Sequence, residues 1–350
     1  MTALPVHPVI KPNLLKALCL WLLLSLLSAC EQRSAAWHIE GMQGTALWHV
    51  TLTAPPPDLN EAALKDGLAK TFSKTNQLLA TWDQTSVLSQ FNRYQGTDWF
   101  PVEPALAQLV DLTLKISKQS EGAYDVTVGP LIRLWGFGSH ESEKAQIPTQ
   151  TDIDTALARV GYQKLQVRFD PPSIRKSQAD VQVELASVAD GFAADQAGLY
   201  LESLGIRDYM VEIAGEVRAR GLSPRGDAWR IAIEKPQEEG RAIQQGISLQ
   251  DAGLATSGDY RNFFVKEGKR YSHTVNPVSG APVTHNLASV SVLADDATQA
   301  DAYATLLMAL GEEKGKTFAD NYNIHAYFIW RVHDGFKVYA TKGMQSLLKK

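Results

Sequence analysis

Asp301 and Thr305 are the residues whose types and spacing most invite chemistry. They lie in the stretch Asp295-Asp296-Ala297-Thr298-Gln299-Ala300-Asp301-Ala302-Tyr303-Ala304-Thr305, followed by Leu306, Leu307, Met308 and Leu310. The pattern predicts a helix that follows a strand over Ala288–Leu293 and reaches Gly311. A helix puts residues four apart on one face, so carboxylate and hydroxyl would point together. That pair suits a hard cation such as Mg2+, which takes oxygen ligands and shares them with phosphate. On spacing alone, the plainer reading has the stronger claim: a solvated carboxylate near a helix N-terminus, favoured by the dipole.

Three other stretches bear on that choice. In Ala255-Thr256-Ser257-Gly258-Asp259-Tyr260-Arg261-Asn262, small hydroxyl residues beside glycine expose backbone N–H groups that can hold phosphate oxygens. In Tyr271-Ser272-His273-Thr274-Val275-Asn276-Pro277, His273 sits among hydroxyls just before a turn. It is a candidate base for an incoming hydroxyl, although a lone histidine is more often a hydrogen-bonded structural one. Glu184 to Asp195 reads as a strand-to-helix junction. A helix start favours anions, yet Glu184 and Asp190 add negative charge there. A cation or a ribose hydroxyl would reconcile the two; ordinary capping is the bland alternative.

The elements that must position these residues are readable in outline. Trp37 to Thr53 holds two strand-like halves, and Pro55-Pro56-Pro57 breaks the chain. Asp58 is expected to cap a helix carrying Leu64, Leu68 and Phe72. A second helix starts at about Pro104, with Leu106, Leu109, Val110, Thr113 and Ile116 at helical spacing. Gly122 to Gly138 has four glycines and a proline but is rich in aromatic and apolar residues, so it should wrap a ligand or pack a core. Ser139 to Thr149 reads as a polar surface loop. Val181, Val183 and Leu185 alternate as a strand, a helix runs from about Ser187 to Leu204, and Tyr209–Ile213 is a strand closed by Ala214-Gly215. Further strands are expected around Trp229–Ile233, Ile247–Leu249, Asn262–Val265, Ala326–Trp330 and Phe336–Tyr339. Strands and helices alternate irregularly, which favours α+β with antiparallel pairs in one catalytic unit.

Composition narrows the class. The chain has 350 residues and a formal net charge of −4, with nothing resembling a basic nucleic-acid surface. There is no Gly-x-Gly-x-x-Gly after a strand, no phosphate loop, no His-Glu-x-x-His and no Gly-x-Ser-x-Gly. Lys11 and Lys16 precede an apolar run from Leu18 to Leu27, too short for a comfortable membrane span. The run ends Leu27-Ser28-Ala29-Cys30 and resembles a bacterial lipoprotein signal, cleaved before a Cys30 that receives lipid. Residues 1–29 then form the signal peptide, 30–36 a lipidated tether and 37–350 the catalytic domain. Cys19 falls in the leader, so the mature chain would hold no disulfide and no thiol nucleophile.

Taken together, the motifs resemble the ApbE family, the periplasmic FAD:protein FMN transferases, over nearly the whole mature chain from Gly41 to about Tyr339. Met42 with Gly44-Thr45 is similar to the family's N-terminal Met-Gly-Thr element, with Gln43 inserted. Thr81-Trp82-Asp83 and Ser86 to Asn92 resemble its next element, with Trp82 in place of Tyr. Gly122 to Gly138 is close to the family's most recognisable run. Thr256 to Asn262, Ser272-His273, Gly280-Ala281-Pro282 and Ala300-Asp301-Ala302 with Thr305 follow in family order. Glu184-Leu185-Ala186 stands where many members have Asp-Leu followed by Ser or Gly, and Asp190 where many have Lys.

The resemblance implies an ApbE/T-fold-like α+β architecture with largely antiparallel sheets. It implies FAD as substrate and Mg2+ at its pyrophosphate. FMN would pass to a Thr or Ser hydroxyl of a target protein as a phosphoester, releasing AMP. By the same resemblance Ser187, Asp301, Ala304 and Thr305 would hold the metal, and His273 would take the hydroxyl proton. Met42, Thr81, Trp82, Asp83, Gly122, Ala123, Tyr124, Glu184, Asp190 and Val275 would contact the dinucleotide. The implied partners are flavin-bearing subunits of membrane redox complexes, met by a lipid-anchored enzyme facing the periplasm. The family favours the inner membrane, with the outer one open. An FAD pyrophosphatase or FAD-binding lipoprotein, and a non-catalytic exported assembly lipoprotein, are the alternative readings.

Overall fold

Strand alternation builds an eight-stranded sheet that carries the molecule. The computed structural model describes residues 36–137, 147–237, 240, 242–260 and 263–349. Ala36–Lys350 is one compact unit. The leader, Cys30 and the tether up to residue 35 lie outside the described residues, as do Gly138, most of the Ser139–Thr149 loop, Arg261 and Asn262.

The sheet joins β1 (Trp37–Gln43), β2 (Ala46–Leu52), β6 (Tyr209–Ile213), β7 (Glu216–Arg220), β10 (Ala252–Gly258), β13 (Leu287–Ala294), β14 (His325–Val332) and β15 (Gly335–Ala340), in that order. Its strand pairs are antiparallel. Trp48, Val50 and Leu52 on β2 point to one face, as Tyr209, Val211 and Ile213 do on β6. That period of two is what buries one side of a pleated strand.

Helices cover that face. α1 (Glu61–Leu79) lays Leu64, Leu68 and Phe72 against Trp48 and Val50. Its cap is Asn60, whose side chain accepts the Ala63 N–H at 2.9 Å, rather than Asp58. A turn closed by Leu59 N–H on Pro56 C=O holds Asp58 ahead of the helix. α6 (Ala186–Ser203) buries Ala193, Ala194, Ala197 and Leu201 in the same cluster. α7 (Ala297–Asn321) buries Ala300, Ala304, Leu307 and Met308 against Val290, Val292, Ala326 and Phe328. The opposite face, with Val217, Ala219, Leu254 and Ile329, is covered by the hairpin of β8 (Trp229–Glu234) and β9 (Ile243–Leu249).

A second cluster sits over α6 and α7. It is made by α2 (Val87–Arg93), α3 (Pro104–Gln119) and a small sheet of β3 (Phe100–Pro101), β5 (Pro172–Lys176) and β4 (Leu165–Phe169). The architecture is α+β, as the alternation of elements suggests. One local expectation needs correction. Val181, Val183 and Leu185 are buried in alternation but join no ladder. The Asn92 side chain takes the place of a neighbouring strand, accepting Val183 N–H at 2.7 Å and donating to Val183 C=O at 2.8 Å. Within Gly122–Gly138, residues Gly129–Leu134 form a short helix, α4.

Candidate functional site

Two helices face each other through residues spaced by three or four. On α6 these are Ser187, Gly191 and Asp195; on α7 they are Thr298, Asp301 and Thr305. At one end Asp195 caps α7, accepting the N–H groups of Ala297 at 3.0 Å and Thr298 at 2.8 Å and the Thr298 hydroxyl at 2.5 Å. In the middle Gly191 lets the backbones touch. A Cβ there would lie 2.4 Å from the Ala297 carbonyl oxygen and 2.9 Å from Asp301 Cβ. The Gly191 N–H donates to Asp301 Oδ2 at 3.2 Å. At the far end Ser187 and Thr305 both line a cavity of about 470 Å³. Helix packing thus holds Asp301 and Thr305 at the cavity wall.

The rest of the wall comes from five segments, one of them the turn that carries Ala214 and Glu216. Ala123 and Tyr124 enter on the loop before α4, and the Tyr124 hydroxyl shares a 2.9 Å hydrogen bond with Ser187 Oγ. Asp125 pins that loop: its carboxylate accepts the Thr127 N–H at 2.8 Å, the Thr127 hydroxyl at 2.6 Å and the Tyr162 N–H at 2.7 Å. Glu184 and Asp190 enter at the start of α6, with Glu184 accepting Thr81 Oγ1 at 3.3 Å and Ala186 N–H at 3.0 Å. Thr256 and Ser257 enter on β10, where Ser257 Oγ meets Thr305 Oγ1 at 3.3 Å. This stretch is a strand paired to β13 through Gly258, while its pairing to β7 stops at Leu254. His273 and Val275 close the wall just beyond β12 (Lys269–Ser272).

The cavity is strongly acidic. Asp125, Glu184, Asp190, Glu216 and Asp301 line it with His273, and no Lys or Arg does among the described residues. Burial raises the Asp301 carboxyl well above its ordinary range, and the charges of Glu216 and Asp190 push it further. Burial lifts Asp190 to about 6. Burial and the Asp190 charge lift Glu216 to about 8. Glu184 is also raised by burial. The plainer reading of Asp301 as a solvated carboxylate is corrected, because the side chain is 7% exposed.

Such a wall fits a hard cation. Carboxylate and hydroxyl oxygens are the donors such an ion takes, and buried carboxylates are costly to ionise unless something neutralises them; Arg133 does this in part for Glu184 and Lys164 for Asp125. No cluster of three or more His, Cys, Asp or Glu side chains poised around one ion occurs among the described residues. A metal held here would depend on Asp301 with hydroxyl, carbonyl and substrate oxygens.

The sequence-predicted site residues separate into two groups. Ala123, Tyr124, Glu184, Ser187, Asp190, His273, Val275, Asp301 and Thr305 share the cavity. Met42 and Trp82 do not; they are 60% and 62% exposed. Thr81 reaches the wall only through Glu184, and the Asp83 carboxylate accepts the Thr85 N–H and hydroxyl. Gly122 turns the chain at φ 84° behind Ala123, and Ala304 is buried on α7. Glu216 was not foreseen. It follows a turn closed by Ala214 (φ 56°) and Gly215 (φ 114°), where a charged residue normally reads as exposed. Only the sheet order, which sets β7 beside β10, brings it inward.

The ApbE family profile matches residues 44–328. The FAD:protein FMN transferase of Escherichia coli K12 is 37% identical over 313 residues, covering 89% of this chain and 88% of the relative. That of Vibrio cholerae is 36% identical over 327 residues, covering 93% and 97%. The solved structure of the flavin transferase ApbE from Vibrio cholerae superimposes with a TM-score of 0.82 at 34% identity, covering 90% of this chain and 99% of that one.

Proposed function

The chain belongs to the ApbE family, and from that premise we propose that it is a flavin transferase moving FMN from FAD to a Thr or Ser hydroxyl of a target protein, with Mg2+ and release of AMP. The observation that carries the reading is the acidic cavity. A dinucleotide pyrophosphate is anionic, and the five acidic side chains, once ionised and with no Lys or Arg among the described lining residues, would repel it. A divalent cation held there would make the same wall attractive to the phosphates.

Asp301, Ser187, Thr305 and the Ala304 carbonyl would hold that cation. When bound, Mg2+ supplies charge neutralisation on the pyrophosphate oxygens as negative charge builds there. Gly191 and Tyr124 orient its holders, through the N–H on Asp301 and the hydroxyl on Ser187. Thr256 and Ser257 offer hydroxyls to the phosphates. His273 takes the proton from the acceptor hydroxyl as its oxygen attacks the FMN-side phosphorus, and the bond to the AMP-side oxygen breaks. Burial of Tyr124 raises its hydroxyl pKa, so it stays a neutral hydrogen-bonding wall of the pocket.

The remaining assignments follow the sequence. We place the enzyme at a bacterial membrane through lipid on Cys30, facing the periplasm, with flavin-bearing subunits of membrane redox complexes as acceptors. The test is incubation of the mature chain with FAD, MgCl2 and candidate acceptors, followed by mass spectrometry. Flavin mass on a Thr or Ser of the acceptor supports transfer. Free FMN and AMP with no labelled protein would make it a pyrophosphatase instead.

A further inference from the structure

Asp190, Glu216 and Asp301 reach the cavity from three different elements, α6, β7 and α7. Each carboxyl there that ionises repels the other two, so charge in the empty cavity pushes these elements apart. The same three elements meet again about one helical turn away. The contacts at that second junction are attractive.

There Asp195 of α6 accepts the N–H groups of Ala297 and Thr298 and the Thr298 hydroxyl. α7 also has a local cap, because Asp296 accepts the Gln299 N–H at 2.7 Å. Asp195 comes from 102 residues earlier in the chain, so besides capping α7 it fixes the start of that helix on α6. Arg218 brings in β7. It lies two residues from Glu216, on the same face of the strand. Its stem passes Gly198 of α6, where a Cβ would fall 3.3 Å from Arg218 Cγ. Its guanidinium donates to the Asp295 C=O, just ahead of α7, and its Nε lies 3.8 Å from Asp195 Oδ1. The nearby Glu202 is matched by Arg220 at 2.5 Å and by the Tyr209 hydroxyl at 2.7 Å, which leaves Arg218 to this junction. Burial and the Asp296 charge lift Asp195 to about 6, so it is ionised at neutral pH and can pair with Arg218. The start of α7 also rests on bare backbone. A Cβ on Gly253, the β10 partner of Arg218, would lie 2.2 Å from Ala297 N. Any shift at this junction is therefore carried along α7 to Asp301, about one turn on.

We propose that Asp195 and Arg218 are positioning residues for cation binding. They clamp α6, β7 and α7 against the repulsion of Asp190, Glu216 and Asp301, and so hold Asp301 and Thr305 where one cation can take both. The inference rests on the Mg2+-dependent reading above and adds to it two residues that do not line the cavity.

The experiment titrates MgCl2 into the mature chain with FAD and follows flavin fluorescence. The rate of FMN transfer or release is measured over the same range, and melting is recorded without Mg2+. Asp195→Asn keeps the shape and removes the charge. Arg218→Met keeps the stem against Gly198 and removes the guanidinium. Each is expected to raise the half-saturating MgCl2 concentration about tenfold in both titrations, the scale of one lost hydrogen bond to a charged group. The rate at saturating MgCl2 should stay within about twofold of the wild type, because the reacting groups are intact. Arg218→Lys keeps a donor and a charge, and should recover most of the loss. If Asp195→Asn does not fold, the two Arg218 variants carry the same comparison. A merely structural role would lower melting and the saturated rate but leave the half-saturating MgCl2 concentration unchanged, and that result would overturn the proposal. Unchanged titrations in both Asp195→Asn and Arg218→Met would overturn it too. A wild type whose FAD binding and turnover ignore MgCl2 would overturn the metal reading itself, and the clamp with it.

Discussion

Replacing Asp301 by Asn separates the metal's contribution from that of the fold. The substitution keeps the shape and an oxygen that can accept the Gly191 N–H, now 3.2 Å from Asp301 Oδ2. It removes the charge that burial, Glu216 and Asp190 all oppose. In the absence of divalent cation the variant should therefore melt no lower than the wild type. Mg2+ reverses the comparison. At about a hundred times its Kd a bound ion stabilises the native state by about 2.7 kcal/mol, which is roughly 5 °C in a chain of this size. The wild type should show that shift and the variant should lack it. Metal assistance is worth several kcal/mol in the transition state, so FMN transfer should fall at least about a hundredfold. The assay is transfer rate and melting temperature against MgCl2 concentration for both proteins. Near-normal transfer by Asp301→Asn at low Mg2+, or an undiminished Mg2+ shift in its melting, would refute the metal assignment.

Other expectations concern the groups around that pair. Glu216 has its pKa raised from 4.5 to about 8 in the folded chain. The native state thus holds a proton between those values that the unfolded chain has lost, and metal-free stability should fall as pH rises through the window, by at most about 5 kcal/mol. Glu216→Gln should flatten that slope in thermal melts at stepped pH; an unchanged slope would show that Glu216 does not titrate there. Gly191→Ala puts a methyl group 2.4 Å from the Ala297 carbonyl oxygen, so it should cost about 3 kcal/mol in denaturant unfolding and lower transfer. Cys30→Ser should leave the protein soluble or unprocessed on cell fractionation, because lipid on that sulfur is the proposed attachment.

How far the sequence could be read depended on whether the signal was local. The α7 helix, its Asp301/Thr305 spacing and the strand before it follow from periodicity within a few turns. The α6 stripe of Ser187, Gly191 and Asp195 is equally periodic. Its meaning depends on a partner helix a hundred residues away, as the Asp195 bonds to Ala297 and Thr298 show. Val181 to Leu185 alternates like a strand but is satisfied by one distant side chain, Asn92. No pattern within the segment distinguishes that from a ladder. Met42 and Trp82 match family motifs, yet their side chains stand exposed outside the cavity, because a motif fixes residue types and not where a side chain points.

Under the proposed reading, the acid cluster accounts for a metal site built on so few groups. Asp301 is the only carboxylate among the four proposed holders, and Ser187 and Thr305 contribute neutral oxygens. Mg2+ in such sites is held by one or two carboxylates together with substrate phosphate, so the ion and the dinucleotide would each lack a complete site without the other. Burial keeps Asp190 and Glu216 protonated more readily than free carboxyls while the pocket is empty, and a bound cation would favour their ionised forms without touching them. Their ionised charge would then add to the gain when cation and substrate arrive together. On this account, neutralising Glu216 weakens Mg2+-dependent FAD binding through charge alone, and salt should not mimic the effect, because a buried group is poorly screened.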